Sequence, residues 1–177
     1  MVYDDVLKGR YVDLRAVSVE DAEFTLKIRQ NPKNTRGIPK LNNTIEEQQE
    51  WIRNQRKKEG DYFFLVVSKS GEKLGTTSIY NIEGDVGEGG RLILNGDAFQ
   101  IFEASLLLNR FAFDNLGLNK IVGFTFASNK RAIRFNRKMG YVICEPEKDE
   151  KGIEICRCCL TKERNKETLS SLERILY

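Results

Sequence analysis

The stretch KIVGFTFASNKRAIRFNRKMGY, Lys120 to Tyr141, constrains the fold more than any other part of the chain. Ile121 to Phe126 reads as a buried strand. Ile121, Val122, Phe124, Thr125 and Phe126 are β-branched or aromatic, the residue types that pack on a pleated surface. Ala127-Ser128-Asn129 breaks the strand. Apolar residues then recur at Ala132, Ile133, Phe135 and Met139, a spacing that fits one helical face. Lys130, Arg131, Arg134, Arg137 and Lys138 fill most of the remainder. Ser128 or Asn129 can cap the first N–H groups, and Gly140 is the residue expected just past a helix end. A polar turn therefore stands where a strand C-terminus meets a helix N-terminus. Ligands bind at such junctions in α/β proteins, because a helix start offers N–H donors and a favourable field to an anion. The same pattern also suits an ordinary packing unit, so periodicity alone does not choose between the two.

At 177 residues the chain is long enough for one well-buried core and short for two domains, so a single domain over residues 1–177 is expected. Hydrophobic residues at 40% and charged residues at 31% place it among globular rather than disordered chains. The 29 basic and 26 acidic residues leave a net charge of +3, too small a bias to argue for nucleic acid. The N-terminal run MVYDDVLKGR lacks the apolar core of a signal peptide, and no stretch approaches the length of a membrane span. A cytoplasmic protein without membrane or nucleic-acid partners is the expectation. Cys144, Cys156, Cys158 and Cys159 crowd the last third, but there is no histidine and no paired C-x-x-C spacing. No metal site is expected. On a strand Cys156 and Cys158 share one face and Cys159 takes the other, so these read as reduced thiols.

Along the chain, Tyr11 to Val17 alternates as a first strand, and Ser18 opens a helix with an acid three residues on. That helix runs to Ile28 or Arg29, and Gln30-Asn31-Pro32 ends it. A polar, basic loop from Lys33 to Asn43 leads to Thr44, which caps a second helix through Trp51, with Glu47 at the third position. Tyr62 to Ser68 is a central strand, and Lys73 to Tyr80 is the next. Gly75 inside it marks a bulge or a close backbone approach. Asn81 to Gly90 reads as a glycine- and acid-rich connection, Arg91 to Asn95 as a strand, and Ile101 to Asn115 as an apolar helix stopped by Gly117. Tyr141 to Cys144 and Gly152 to Leu160 read as two strands around an acidic turn. A last helix spans Thr161 to Ile175, with Leu169, Leu172 and Ile175 as packing residues.

The run N-x-x-A-I-x-x-x-x-K-x-G-Y, filled by Asn129, Ala132, Ile133, Lys138, Gly140 and Tyr141, resembles the closing motif of the GNAT-superfamily N-acetyltransferases. The stretch FAFDNLGLNKIVGFTFASN before it is similar to the helix, loop and strand that precede this motif in the ribosomal-protein acetyltransferase branch. The segment from Arg29 to Trp51 resembles, more loosely, the acetyltransferases of amino-sugar nucleotides, where a polar stretch and a capped helix with a tryptophan wall the acceptor pocket. The local alternative, Trp51 anchoring a surface helix to the core, carries equal weight. The resemblance implies an α/β fold of the GNAT type: a mixed, mostly antiparallel sheet with one splayed parallel pair and helices on both faces.

It also implies a mechanism. The pantetheine arm of acetyl-CoA pairs with the exposed backbone of the first splayed strand, here Ile93, Leu94 and Asn95, by β-augmentation. An N–H near Ile93 or Leu94 polarises the thioester carbonyl while an amine attacks directly. The pyrophosphate lies on a loop and helix start, here Ala98, Phe99, Gln100, Ile101 and Phe102. Asn129, Lys130, Ala132, Phe135 and Asn136 complete the cofactor surface. The family's loop glycines are absent around Asp97, Phe99 and Ile101, and an aspartate facing pyrophosphate would repel it. Two explanations stay open: backbone N–H groups bind phosphate with Lys130 or Arg131 supplying charge, or the fold persists without its cofactor as a binding module.

Asn136 stands where the family often has a tyrosine acid. Glu103 and Tyr80 are the candidate catalytic groups, Glu103 having the alternative of a favourable charge at a helix start. Arg29 and Arg36 are candidate substrate contacts, to the phosphate of a nucleotide-linked amino sugar. The expected function is acetyl transfer to a small primary amine, with a homodimer as a further expectation. A protein N-terminus or an antibiotic amine is the alternative acceptor.

Overall fold

The structure is a computed structural model that describes residues 2–34 and 41–176, apart from the side chain of Ile175. Arg36, one of the expected substrate contacts, and Ile175, one of the expected packing side chains, therefore lie outside the described residues. The elements are β1 (Leu7–Lys8), β2 (Val12–Ala16), α1 (Ala22–Gln30), α2 (Ile45–Lys57), β3 (Tyr62–Ser68), β4 (Lys73–Glu83) and β5 (Val86–Leu94). They continue with α3 (Ala98–Arg110), β6 (Lys120–Phe126), α4 (Lys130–Lys138), β7 (Val142–Ile143), β8 (Glu147–Lys148), β9 (Glu154–Thr161) and α5 (Lys162–Leu176). Hydrogen-bonded neighbours run β1-β2-β3-β4-β5-β6-β9-β7, with β8 on β9. The β5–β6 pair is parallel, and the other pairs with a defined register are antiparallel. This is the mixed, mostly antiparallel sheet expected for the fold. No helix among the described residues is long and apolar enough to cross a membrane.

The chain condenses into two compact units. The first comprises Met1–Asn81 and Gly90–Leu108. In it β3 pairs with β2 (Leu14 opposite Val66) and with β4 (Val66 opposite Gly75), so its apolar run is buried on both sides. Val17, Ala22, Ile52, Phe63 and Leu65 form a core cluster. Both helix starts carry the expected reciprocal caps. Ser18 N–H donates to Asp21 (2.9 Å), and Thr44 N–H donates to Glu47 (2.8 Å) while the Glu47 N–H returns to the Thr44 hydroxyl (3.2 Å). The Ser18 box opens a single 3-10 turn, Val19–Asp21, before α1 begins.

The second unit comprises Ile82–Gly89 and Asn109–Tyr177. Its centre is β6, paired with β9 from Lys120–Thr161 to Phe126–Ile155 and with the start of β5 from Val86–Lys120 to Glu88–Val122. Past Arg110 the helical path loosens into a π turn, Phe111–Asn115, whose end is set by the Leu116 N–H on the Phe111 carbonyl (3.0 Å). Leu172 of α5 is buried and Leu169 half-buried.

Sequence expectations need correction at three places, one being the acidic turn after Cys144, which holds the short strand β8 (Glu147–Lys148) paired on β9. Residues 81–90 are not a connection: β4 and β5 extend into a hairpin closed by Gly84-Asp85, with Gly84 at φ +59°, as the first position of a two-residue turn favours. Its flanking residues, Ile82-Glu83 and Val86 to Gly90, are mostly glycine and glutamate and carry no apolar alternation, so strand periodicity was silent there. The third helix begins at Ala98 rather than Ile101, because Asp97 and Gln100 cap it.

Cys144 is exposed, Cys156 and Cys158 are buried and Cys159 is half-buried, all as thiols. Burial, followed by the neighbouring thiols, pushes the Cys158 thiol up to about 11. A thiol-reactive chromogen at pH 8 should therefore titrate Cys144 fast and Cys158 only after denaturation, since the thiolate is the reacting form. Rapid labelling of Cys158 in folded protein, read by peptide mass, would contradict this burial.

Candidate active site

In the first unit, β5 is irregular at Arg91, whose φ of +51° lies in the left-handed region that non-glycine residues rarely adopt. The Thr76 hydroxyl donates to the Arg91 carbonyl (2.9 Å), supporting the kinked backbone from β4. Two residues on, a Cβ at Gly75 would overlap the Ile93 carbonyl, so the close approach expected at that glycine is real. The Asn95 N–H donates to the Leu74 carbonyl (2.8 Å). Ile93 and Leu94 are half-buried and Asn95 is exposed. The parallel register of β5 ends at Glu88, while the strand itself continues to Leu94.

The start of α3 is capped by its own side chains. The Asp97 N–H donates to Gln100 Oε1 (3.0 Å), and the Gln100 N–H donates to Asp97 Oδ1 (2.9 Å). This reciprocal box spends the Gln100 amide and leaves those of Ala98 and Phe99 outside it. The Asp97 carboxylate is thereby turned onto the helix instead of standing as a bare charge before it. The spacing Asp97-x-x-Gln100 is a capping-box signature legible in the sequence, and it was the missed signal. Phe99 is exposed and stacks on Tyr11 at 5.4 Å, with Arg10 over the far ring at 5.6 Å. Ile101 and Phe102 are half-buried on the same turn.

Glu103 is fully buried. Its carboxylate accepts from the backbone N–H groups of Arg10 (2.8 Å), Tyr11 (2.6 Å) and Val12 (2.8 Å), closing the β1–β2 turn. A Cβ on Gly9 would collide with it. Both oxygens are engaged by backbone donors.

Tyr80, the other candidate, is half-buried at the end of the first unit's share of β4, with its hydroxyl against Gly90. The Arg91 guanidinium lies over its ring, 4.4 Å from the centroid. Arg91 also stands 5.3 Å from the Trp51 ring and 5.6 Å from that of Phe63, and forks onto Asp61 (2.5 and 2.9 Å). Asp61 is 2% exposed and accepts a further bond from Gln55 (3.1 Å). The sequence reading missed this cluster, since its members are scattered from Trp51 to Arg91 with no local pattern.

Arg29 is half-buried on the last turn of α1. A cleft of about 570 Å³ runs beside that helix, lined by Glu23, Leu26, Lys27, Gln30, Asn31 and Ile45. Gln30 ties its edge by donating to the Leu41 carbonyl (3.2 Å).

In the second unit, Asn129 is the cap of α4: its Oδ1 accepts from the Ala132 N–H (3.0 Å), and Gly140 at φ +89° ends the helix as expected. Lys130 and Arg131 are exposed at the first turn, and Ala132, Phe135 and Asn136 are half-buried. Ile133 packs with Ala127 and Cys156, which fixes the helix on the turn after β6 and on β9.

Comparison with known proteins agrees with this architecture. No curated protein matches the sequence significantly. Over its full length the chain is similar to the structure of apo FdhC, a nucleotide-linked sugar GNAT, at 27% identity and a TM-score of 0.83, covering 99% of this chain and 100% of that one. A GCN5-related N-acetyltransferase from Brucella melitensis shares the fold at 16% identity and a TM-score of 0.82, covering 99% and 86% of the two chains. So does spermidine N-acetyltransferase from Vibrio cholerae, solved with CoA and spermine, at 16% identity and 0.79, covering 88% and 98%. The family model described as the acetyltransferase (GNAT) domain matches residues 12–142, and the chain accordingly belongs to the GNAT family of N-acetyltransferases.

Proposed function

We propose that this protein transfers an acetyl group from acetyl-CoA to the primary amine of a nucleotide-linked amino sugar. The end-to-end likeness to a nucleotide-linked sugar GNAT carries the acceptor class. The amine nitrogen attacks the thioester carbonyl carbon. The C–N bond forms, the C–S bond breaks, one amine proton leaves and the sulfur leaves as a thiolate that takes up a proton. In this reading the N–H of Ile93 or Leu94 donates to the carbonyl oxygen as negative charge develops on it. The irregularity at Arg91 supports the assignment, because it sets the direction of the backbone that follows.

Tyr80, rather than Glu103, is the proton-transfer group in this proposal, because the Glu103 carboxylate is held by three backbone donors. Ala98 and Phe99 offer the amides that the Asp97–Gln100 box does not engage to the pyrophosphate. Gln100, Ile101 and Phe102 lie on the same turn and border that phosphate. Within the second unit, Lys130 and Arg131 offer positive charge at the start of α4, and Asn129, Ala132, Phe135 and Asn136 are its candidate cofactor contacts. Arg29 contacts the acceptor phosphate.

Thermal unfolding with and without acetyl-CoA tests the reading. Ligand at a hundredfold its dissociation constant adds about 2.7 kcal/mol, a rise of roughly 5–10 °C for a chain of this size. The rise should be absent with plain ADP and should be followed by acetyl transfer to amino-sugar nucleotides. A folded protein that shows no rise at any achievable concentration would sink the cofactor assignment. A rise without transfer to such sugars would sink the acceptor class alone.

A further inference from the structure

We infer that Arg91 is the resident occupant of a cation-binding cage and acts as a specificity-determining residue that keeps cationic acceptors out. Three aromatic rings, Trp51, Phe63 and Tyr80, stand within 6 Å of one guanidinium, and Trp51 meets Phe63 edge-to-face at 5.6 Å. A buried carboxylate, Asp61, closes the arrangement through two bonds, with the Ser78 hydroxyl at 3.5 Å. Ring faces around a carboxylate form a site for an alkylammonium or guanidinium ion, because the quadrupoles and the anion all favour positive charge. Here the chain fills that site itself.

Two observations separate this from ordinary core packing. The cage is open: Trp51 is 38% exposed and the Arg91 side chain 26% exposed. It is also held against backbone preference, since Arg91 keeps a left-handed φ of +51° that non-glycine residues rarely adopt. Asp61 in turn is fixed by Gln55, which donates both to its carboxylate (3.1 Å) and to its carbonyl (2.9 Å). With the guanidinium in place the cluster is electrically balanced, and a polyamine entering it must displace a tethered cation. A neutral or anionic acceptor meets no such competitor. As a filter on acceptors the inference rests on the transferase reading above; the occupied cage itself does not.

The test therefore uses binding without acetyl-CoA. Trp51 is the single tryptophan in the sequence, so its fluorescence reports on this cage alone. The variant R91G empties the cage and relaxes the backbone, because glycine adopts a positive φ freely. Methylguanidinium and spermidine, each at millimolar concentration, should change the Trp51 emission of R91G saturably and raise its melting temperature. Their affinity should exceed that for wild type by about tenfold or more. The double variant R91G/D61N should lose the effect. R91Q, which keeps a donor toward Asp61, carries the same titration if R91G does not fold. Saturable binding of spermidine to wild type at the same concentrations would overturn the inference. So would a folded R91G or R91Q that binds neither cation. Acetyl-CoA binding by wild type is measured separately, so loss of the transferase reading and loss of the cage are distinguishable.

Discussion

Replacing Glu103 with alanine should destabilise the protein by about 3–5 kcal/mol, a fall in melting temperature on the order of 10 °C. The side chain accepts three N–H groups from residues 10–12, of which the Val12 bond is fully buried. A hydrogen bond to a charged group contributes about 1.5–3 kcal/mol, and a buried donor left without a partner costs about 1–3 kcal/mol. Water can reach the vacated Arg10 and Tyr11 amides, so the full sum is not expected. E103Q retains one oxygen but presents an NH2 group to donors, and should cost roughly 2 kcal/mol. Urea unfolding of both variants measures this. An E103Q protein as stable as wild type but unable to transfer acetyl would return Glu103 to a catalytic role.

The second large effect concerns Asp21, 1% exposed beneath Arg15, Lys73 and Ser18. Burial alone would raise its pKa, but hydrogen bonds from Arg15, Lys73 and the Ser18 N–H outweigh it and hold the carboxyl well below the usual range. Because the folded value is depressed, the contribution is complete above the unfolded value of about 3.9 and is lost as pH falls from there toward the folded value. D21N should therefore cost about 3 kcal/mol at pH 7, at the lower end for a broken buried pair because Arg15 and Lys73 are partly hydrated. The gap should narrow at pH 3. Urea melts at the two pH values decide it. A gap independent of pH would mean that shape and not charge holds this site.

Much of the local architecture was legible because its causes lie within a few residues. The caps at Ser18–Asp21 and Thr44–Glu47, the strand and helix from Lys120 to Lys138 and the glycine stop at 140 all follow from short-range hydrogen bonding and apolar spacing. The α3 cap at Asp97 and Gln100 was also written in the sequence, as an acid followed three residues later by a glutamine. The hairpin around Gly84 was not legible, since strand ends built largely of glycine and glutamate carry no apolar alternation.

By itself, then, the sequence determined the order of the main strands and helices, several of their caps and the family, because each depends on neighbours along the chain or on a motif that survives as spacing. Only the tertiary structure decided what individual charged side chains are for. Glu103 finds its donors more than 90 residues away, as the 93-residue step to Arg10 shows, and its role follows from that turn rather than from its place at a helix start. Arg91 finds its carboxylate in Asp61, just before β3, and its three rings on α2, β3 and β4. A charge takes its function from the groups that desolvate and pair it, and those groups are brought together by folding.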